Sequence, residues 1–436
     1  MDTARTMTAR ALARAMLAGP RHENGLAARM ATCLGTRPPW LAVLAQAMAR
    51  VPGEIWRRLE VATLAERVEA HEAFAQAWRS EARPVARHWL LRSPDELLPA
   101  PPGLERPHWP TVGALARGLG MTPAGLWRLT LPADWQRRRP LAQQHYRPCV
   151  IPKRSAGWRL LEVPEPHLRA IQRRLLGQLL NGLPPHEAAF GYAPGRSVVQ
   201  HAARHTGQGR VLRFDLSDFF STVRAARIHA LFKTLGYCTA VARALTALCT
   251  TSTPEAWLRT EPRLSWLQRQ RLRDAHLPQG APTSPAVANL CAFGLDARLT
   301  GLAEAFGARY SRYADDLVIS GPASLPVRQI AAWVAAIAED EGFAVNPRKT
   351  RSLGAAQRQS VCGIVVNDRP NLARDEFDRL KATLHRCVVD GPAAQNRDAH
   401  ADWRAHLQGR VAWAAQLNPA KAEKLRALFD RIDWSR

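Results

Sequence analysis

Apolar and polar positions follow two different rhythms along the chain, and the change of rhythm divides it. From Ala11 to about Arg92, Ala, Leu, Arg and Glu recur in helical patterns, with Trp56, Leu59, Thr63, Leu64 and Val68 at helical spacing. The run LRSPDELLPAPPGLERPHWP then stops any helix repeatedly and predicts a linker over 93–110. In TVGALARGLGMTPAGLWRL, Thr122 is placed to cap a second helix with Pro123 at its first position, giving helix, turn, helix. This is read as a small packing element leading into the next domain in preference to a DNA-binding helix-turn-helix.

Beyond Tyr146 the texture changes to short apolar runs set off by Gly and Pro: CVIPK, GWRLLEVP, RVLRFDLSDF, RYSRYADDLVIS and SVCGIVVND. These predict strands. Between them, His167 to Leu180 predicts a helix with Leu168, Ile171, Leu175, Leu176, Leu179 and Leu180 on one face and Arg169, Arg173 and Arg174 off it. The irregular alternation of strands and helices favours an α+β core over a doubly wound sheet. From about Asn371 the chain is helical again, with a break at Asn418-Pro419.

Composition narrows the partners. The chain has 436 residues, with Lys+Arg 61 against Asp+Glu 37 and a net charge of +24. At roughly 150 residues per domain this length predicts two or three folded units. The charge surplus points to a polyanion such as nucleic acid, because neutralising phosphates releases counterions. No stretch approaches the roughly 18 uninterrupted apolar residues of a spanning helix, so a membrane partner is not expected. The Arg-rich start is read as an amphipathic basic helix and not as a transit peptide. The 7 cysteines lack a CxxC pair and read as reduced residues of a cytoplasmic protein.

Two acidic clusters interrupt this basic chain at strand-like positions. In RVLRFDLSDFF a hydrophobic strand delivers Asp215 at its end, and in RYADDLVIS the adjacent Asp315 and Asp316 precede Leu317, Val318 and Ile319. Like charges this close in a partly buried sheet call for exposure, protonation or a bound cation. A pair of Mg²⁺ ions held between the two clusters would relieve the repulsion and clamp the attacking and leaving oxygens of a phosphoryl transfer.

FDLSDFF, PQGAPTSP and YADD, in this order, resemble the palm of reverse transcriptases over roughly residues 146–370, continuing into a thumb. The resemblance implies a right-hand polymerase with fingers, palm and thumb. It divides the chain into a helical N-terminal extension with its linker (1–110), a lead-in (111–145), fingers and palm (146–370) and an RNA-binding thumb (371–436). It implies that Asp215 and Asp315 ligate the metals, with Asp316 completing the acidic hairpin and Leu216 giving its backbone carbonyl. Lys153 and Arg159 match the fingers hairpin that grips the incoming deoxynucleoside triphosphate. Gln279 and Gly280 match the loop under the nascent base pair, where glycine permits close backbone approach. Phe220 falls where the family sets a bulky side chain against the sugar 2′ position, which excludes ribose. Lys349 matches a lysine that donates a proton to the leaving pyrophosphate.

GYAPGRSVVQHAARH followed by FDLSDFF is similar to the bacterial retron type. That group carries Asn-Ala-x-x-His before the first catalytic strand and Val-Thr-Gly after the hairpin. Here the elements read His201-Ala202-Ala203-Arg204-His205 and Val361-Cys362-Gly363, each departing at one residue. The segment 406–425 is similar to the retron thumb, which implies that Arg404, Arg410, Lys421 and Lys424 contact RNA phosphates. The resemblance implies an RNA-directed DNA polymerase that primes from a 2′-hydroxyl of its cognate noncoding RNA. Its product would be branched, multicopy single-stranded DNA, made in antiphage defence with an associated effector protein. The alternatives are another bacterial reverse transcriptase, whether defence-associated, diversity-generating or group II intron-like, and, in a different class, a non-catalytic RNA scaffold. The three retained aspartates weigh against the scaffold.

Overall fold

The computed structural model describes residues 3–80, 83–88, 101, 103–131, 135, 138–140, 143–153 and 157–435. The chain forms two compact units, residues 1–128 with 232–245 and residues 129–231 with 246–436.

In the first unit, helices Thr3–Leu17, Glu23–Leu34, Trp40–Ala49, Gly53–Arg58, Val61–Ala70 and Glu72–Arg79 enclose a core containing Leu12, Met16, Leu26, Met30, Leu44, Leu64 and Phe74. The first helix turns Arg10 and Arg14 to solvent and buries Ala9, Leu12, Ala13 and Met16, as an amphipathic basic helix should. The spacing from Trp56 to Val68 does not form one helix. Leu59 and Glu60 are extended, so Trp56 closes one helix while Leu64 and Val68 belong to the next, and apolar periodicity runs across the break. The expected linker over 93–110 lies partly outside the described residues; residues 103–110 form neither helix nor strand. Trp109 there stacks on Tyr237 with ring centroids 5.9 Å apart, and the Tyr237 hydroxyl donates to the Pro107 carbonyl at 3.1 Å. Helices Val112–Gly118 and Pro123–Leu129 follow. The second opens on Pro123, and Thr122 Oγ1 accepts the Gly125 amide at 3.1 Å.

The second unit opens with the hairpin β1 (Tyr146–Pro152) and β2 (Trp158–Pro164), antiparallel in full register. Helix Pro166–Gln178 buries Leu168, Ile171 and Leu175 and exposes Arg173 and Arg174. It ends before Leu180, which turns into a 3-10 helix, Leu180–Gly182. The central sheet has four strands, β3 (Arg210–Asp215), β4 (Arg309–Tyr313), β5 (Asp316–Gly321) and β6 (Arg351–Gly354), in the order β4-β5-β3-β6 with antiparallel neighbours. SVCGIVVND forms a miniature hairpin, β7 (Ser360–Val361) and β8 (Ile364–Val365). Beyond it come helices Arg374–Asp390, Trp403–Leu417 and Pro419–Phe429, the last capped by Asn418, whose side-chain oxygen accepts the Lys421 amide at 3.2 Å. Leu380, Leu384, Leu407, Val411 and Leu425 from these helices share a core with Val211, Val318, Val361 and Ile364. Each such buried side chain contributes about 1.5–3 kcal/mol, so the C-terminal helices are packed continuously onto the sheet.

Candidate active site

Val211, Leu212 and Phe214 are buried, which fixes β3 in the sheet and leaves Asp215 at its end. Pairing of β3 with β5 sets Asp215 directly opposite Asp316. Ala314 takes a left-handed φ of 57°, and the resulting turn between β4 and β5 presents Asp315. The chain after Asp215 is held from both sides. The Leu216 amide donates to the Asp315 carbonyl at 2.9 Å, the Ser217 amide to Ala344 at 2.8 Å, and the Asn346 amide to the Asp215 carbonyl at 2.7 Å. That last bond brings in the Asn346–Lys349 turn, from which Lys349 Nζ donates to Asp215 Oδ1 at 2.7 Å.

Burial first, and then the charge of Asp316, pushes the Asp315 carboxyl above its ordinary range. Asp316 is likewise raised by burial, against the pull of Arg213. Its Oδ2 accepts the Cys362 thiol at 3.8 Å, and burial followed by the Asp316 charge pushes that thiol up to about 12. Among the described residues no three His, Cys, Asp or Glu side chains already stand as a metal cage. The donor set nevertheless fits a hard divalent cation: the donors are carboxylate oxygens, positive charge would relieve their repulsion, and an ammonium group already occupies Asp215.

Asp215, Asp315 and Lys349 line a cleft of about 680 Å³, whereas Asp316 and Cys362 are outside its lining. The structure brings Lys153, Arg159, Asp215, Leu216, Phe220, Gln279, Asp315 and Lys349 to its walls. Lys153 and Arg159 come from the β1–β2 hairpin, whose tip at 154–156 lies outside the described residues. Phe220 is half-buried between Phe219 at 5.5 Å and Tyr192 at 6.2 Å, centroid to centroid. The other acid of FDLSDFF, Asp218, is tied to Arg271 at 3.0 Å and Gln268 at 3.3 Å.

Gln279 and Gly280 brace the hairpin from beneath. The Gln279 carbonyl accepts the Glu162 amide at 2.8 Å. Gly280 has φ 132°, and a Cβ there would lie 3.0 Å from the Glu162 carbonyl oxygen, so the close approach requires glycine. Glu162 itself is buried, accepting Thr253 Oγ1 at 2.7 Å and pairing with His276 Nε2 at 2.8 Å. Burial opposes charging of His276, but the charge and hydrogen bond of Glu162 leave it above its ordinary value. This pair had no signal in the sequence, since Glu162 sits in a strand run and His276 in a loop.

The cations of the C-terminal helices, Arg404, Arg410, Lys421 and Lys424, lie outside the cleft lining. Arg404 covers the Trp434 ring at 5.6 Å and Lys421 the Phe377 ring at 5.3 Å, whereas Arg410 is half-buried and Lys424 exposed. Among the described residues no helix is long and apolar enough to cross a membrane.

Residues 151–366 match the family described as "Reverse transcriptase (RNA-dependent DNA polymerase)", the span that contains the central sheet, β2 and the cleft lining. Over 371 residues the chain is 38% identical to the Retron Mx65 reverse transcriptase of Myxococcus xanthus, which covers 83% of this chain and 79% of that protein. It is 32% identical over 336 residues to the Retron Mx162 reverse transcriptase of the same organism, covering 73% of this chain and 66% of that one. A solved telomerase from Candida albicans overlaps 68% of this chain and 56% of its own at 11% identity, with a TM-score of 0.36. The chain belongs to the retron reverse transcriptases, which are RNA-directed DNA polymerases.

Proposed function

We propose that this polymerase copies part of its own structured noncoding RNA, primed from an RNA 2′-hydroxyl, into branched multicopy single-stranded DNA. In this reading it works in the cytoplasm, in antiphage defence, with an associated effector protein. The observation that carries the catalytic part is the pairing of Asp215 with Asp316 beside the Asp315 turn, with Asp215, Asp315, Lys153 and Arg159 lining one cleft. The retron relatives support the RNA part.

Asp215, Asp315 and Asp316, with the Leu216 carbonyl, would hold two Mg²⁺ ions, which supply charge stabilisation to the phosphoryl transfer. Lys153 and Arg159 bind the triphosphate of the incoming nucleotide, and Gln279 and Gly280 support the hairpin that carries them. Phe220 stands against the sugar and excludes a 2′-hydroxyl. Lys349 holds a proton beside Asp215 and delivers it to the leaving pyrophosphate. Arg404, Arg410, Lys421 and Lys424 bind RNA phosphates on the thumb (371–436), and residues 146–370 serve as fingers and palm. The helical extension and linker (1–110) and the lead-in (111–145) precede that polymerase core.

The protein purified from its native locus should carry nucleic acid. After RNase treatment, a short DNA whose 5′ end is freed by a debranching enzyme is the expected result. Bare protein or unbranched cDNA would rule out the retron product and leave another bacterial reverse-transcriptase role.

A further inference from the structure

Beneath the Asp315 turn lies a side-chain cluster that none of the roles above uses. Arg312 on β4 and Asp296 on helix Phe293–Ala305 are both fully buried. Arg312 Nε donates to Asp296 Oδ1 at 2.8 Å and Nη2 to Oδ2 at 2.6 Å, a two-pronged pairing that fixes the guanidinium plane. The Tyr310 hydroxyl adds a bond to Asp296 Oδ1 at 2.8 Å. The remaining prong points along the chain: Nη1 donates to Asn289 Oδ1 at 2.9 Å and to the Ala314 carbonyl at 3.1 Å.

On the amide side of Ala314, the preceding peptide is closed by Gly191. A Cβ at Gly191 would lie 2.5 Å from the Ala314 amide nitrogen, so only glycine lets the backbones approach this closely. Gly191 is in turn fastened to the cluster, because Asn289 Nδ2 donates to its carbonyl at 2.8 Å. Ala314 carries a left-handed φ that an alanine seldom adopts, and such a conformation persists where its surroundings impose it.

We propose that Arg312 is a positioning residue for the polymerase reaction: anchored by Asp296 and Asn289, it holds the Ala314 carbonyl and thereby sets where Asp315 stands in the cleft. The proposal rests on the reading of Asp315 as a metal ligand. Ion pairs buried as deeply as this one contribute little net stability compared with apolar side chains of similar volume. Placement of a reacting constellation is much less tolerant, since a displacement of about 1 Å can cost on the order of 10²-fold in rate.

The test uses the full chain with its RNA and compares wild type with Arg312→Met/Asp296→Leu, which removes both charges, with Arg312→Lys, and with Asp315→Ala. Arg312→Lys keeps a charge for Asp296 but lacks the fork needed to reach the Ala314 carbonyl as well. Both Arg312 variants should bind RNA and deoxynucleotide within about threefold of wild type, while the single-turnover rate at saturating nucleotide falls on the order of 10²-fold. Mn²⁺ binding without nucleotide, followed by electron paramagnetic resonance, should weaken in step. Either variant polymerising within about threefold of wild type overturns the positioning role, and Arg312→Lys decides the question if the double variant does not fold. Retained synthesis in Asp315→Ala instead overturns the ligand reading on which the role rests.

Discussion

Lys349 Nζ lies 2.7 Å from Asp215 Oδ1, an ammonium half-exposed in the cleft against a carboxylate nearly buried at the end of β3. The contact sets a cation from the Asn346–Lys349 turn where a divalent ion would bind, so the two compete for one oxygen. Lys349→Met should therefore lower the Mg²⁺ concentration needed for half-maximal synthesis. Because the proposed proton donor is also lost, the maximal rate should fall by about 10²-fold. A Mg²⁺ titration of primer extension reads both effects, and a higher Mg²⁺ requirement would contradict the competition.

Phe220 lines the cleft beside Asp215 and is braced by Phe219 and Tyr192. In the proposed role against the sugar, Phe220→Ala would open that space. Ribonucleotide incorporation relative to deoxynucleotide should rise by about tenfold or more, since selection here depends on a steric clash that the smaller side chain no longer makes. Primer extension with single ribonucleotides measures the ratio, and an unchanged ratio removes Phe220 from the sugar-selecting role.

A buried chain of hydrogen bonds runs from His201 Nδ1 to Ser311 Oγ at 2.9 Å, on to His205 Nε2 at 2.6 Å, and from His205 Nδ1 to Ser320 Oγ at 2.7 Å. Burial, followed by Arg213 and Arg204, depresses the His201 pKa to about 4, and His205 is lowered by burial and by His201. The unfolded chain takes up these protons near pH 6.5 while the folded one does not. The His201 contribution is therefore complete above about pH 6.5 and is lost as the pH falls toward 4. Between pH 7.5 and 5 that loss amounts to about 2 kcal/mol for His201. His201→Asn should flatten the fall of melting temperature over this interval, and an equally steep fall would assign the acid sensitivity to other groups.

On the C-terminal helices, Arg404 and Lys421 lie over protein rings, whereas Lys424 is open to solvent. Lys424→Ala should weaken RNA binding and reduce its salt dependence by about one counterion, with no change in melting temperature. Arg404→Ala should in addition lower stability by about 0.5–1 kcal/mol through the lost contact with Trp434. Filter binding at several salt concentrations, together with thermal melts, separates the two classes.

What could be read along the chain was whatever local order encodes. Valine, leucine and phenylalanine before Asp215 mark a strand that ends in an acid, and the apolar runs on either side of Asp315 and Asp316 mark the two strands of a hairpin; in the structure the second of these, β5, runs antiparallel to β3 with Asp215 opposite Asp316. Thr122 with Pro123 announces a helix start because caps act over three or four residues, and the break read at Asn418-Pro419 falls where Asn418 caps the next helix. The same locality misled between Trp56 and Val68, where apolar spacing continues across the two extended residues that separate the helices.

The contacts at the cleft and in the buried polar clusters around the sheet join positions far apart in sequence, and no local pattern marks them. Lys349 and Asp215 are 134 residues apart, His205 and Ser320 are 115 apart, and even Arg312 and Asp296 are separated by 16. In a chain with 61 Lys and Arg residues, nothing in the order of letters distinguishes the buried Arg312 from a solvated arginine. That distinction arises when packing removes water from the Arg312 guanidinium, because a charge taken out of water persists only where partners surround it. Residue order therefore specifies which carboxylates reach the strand ends. The packed fold determines which cations face them and how firmly the Asp315 turn is held.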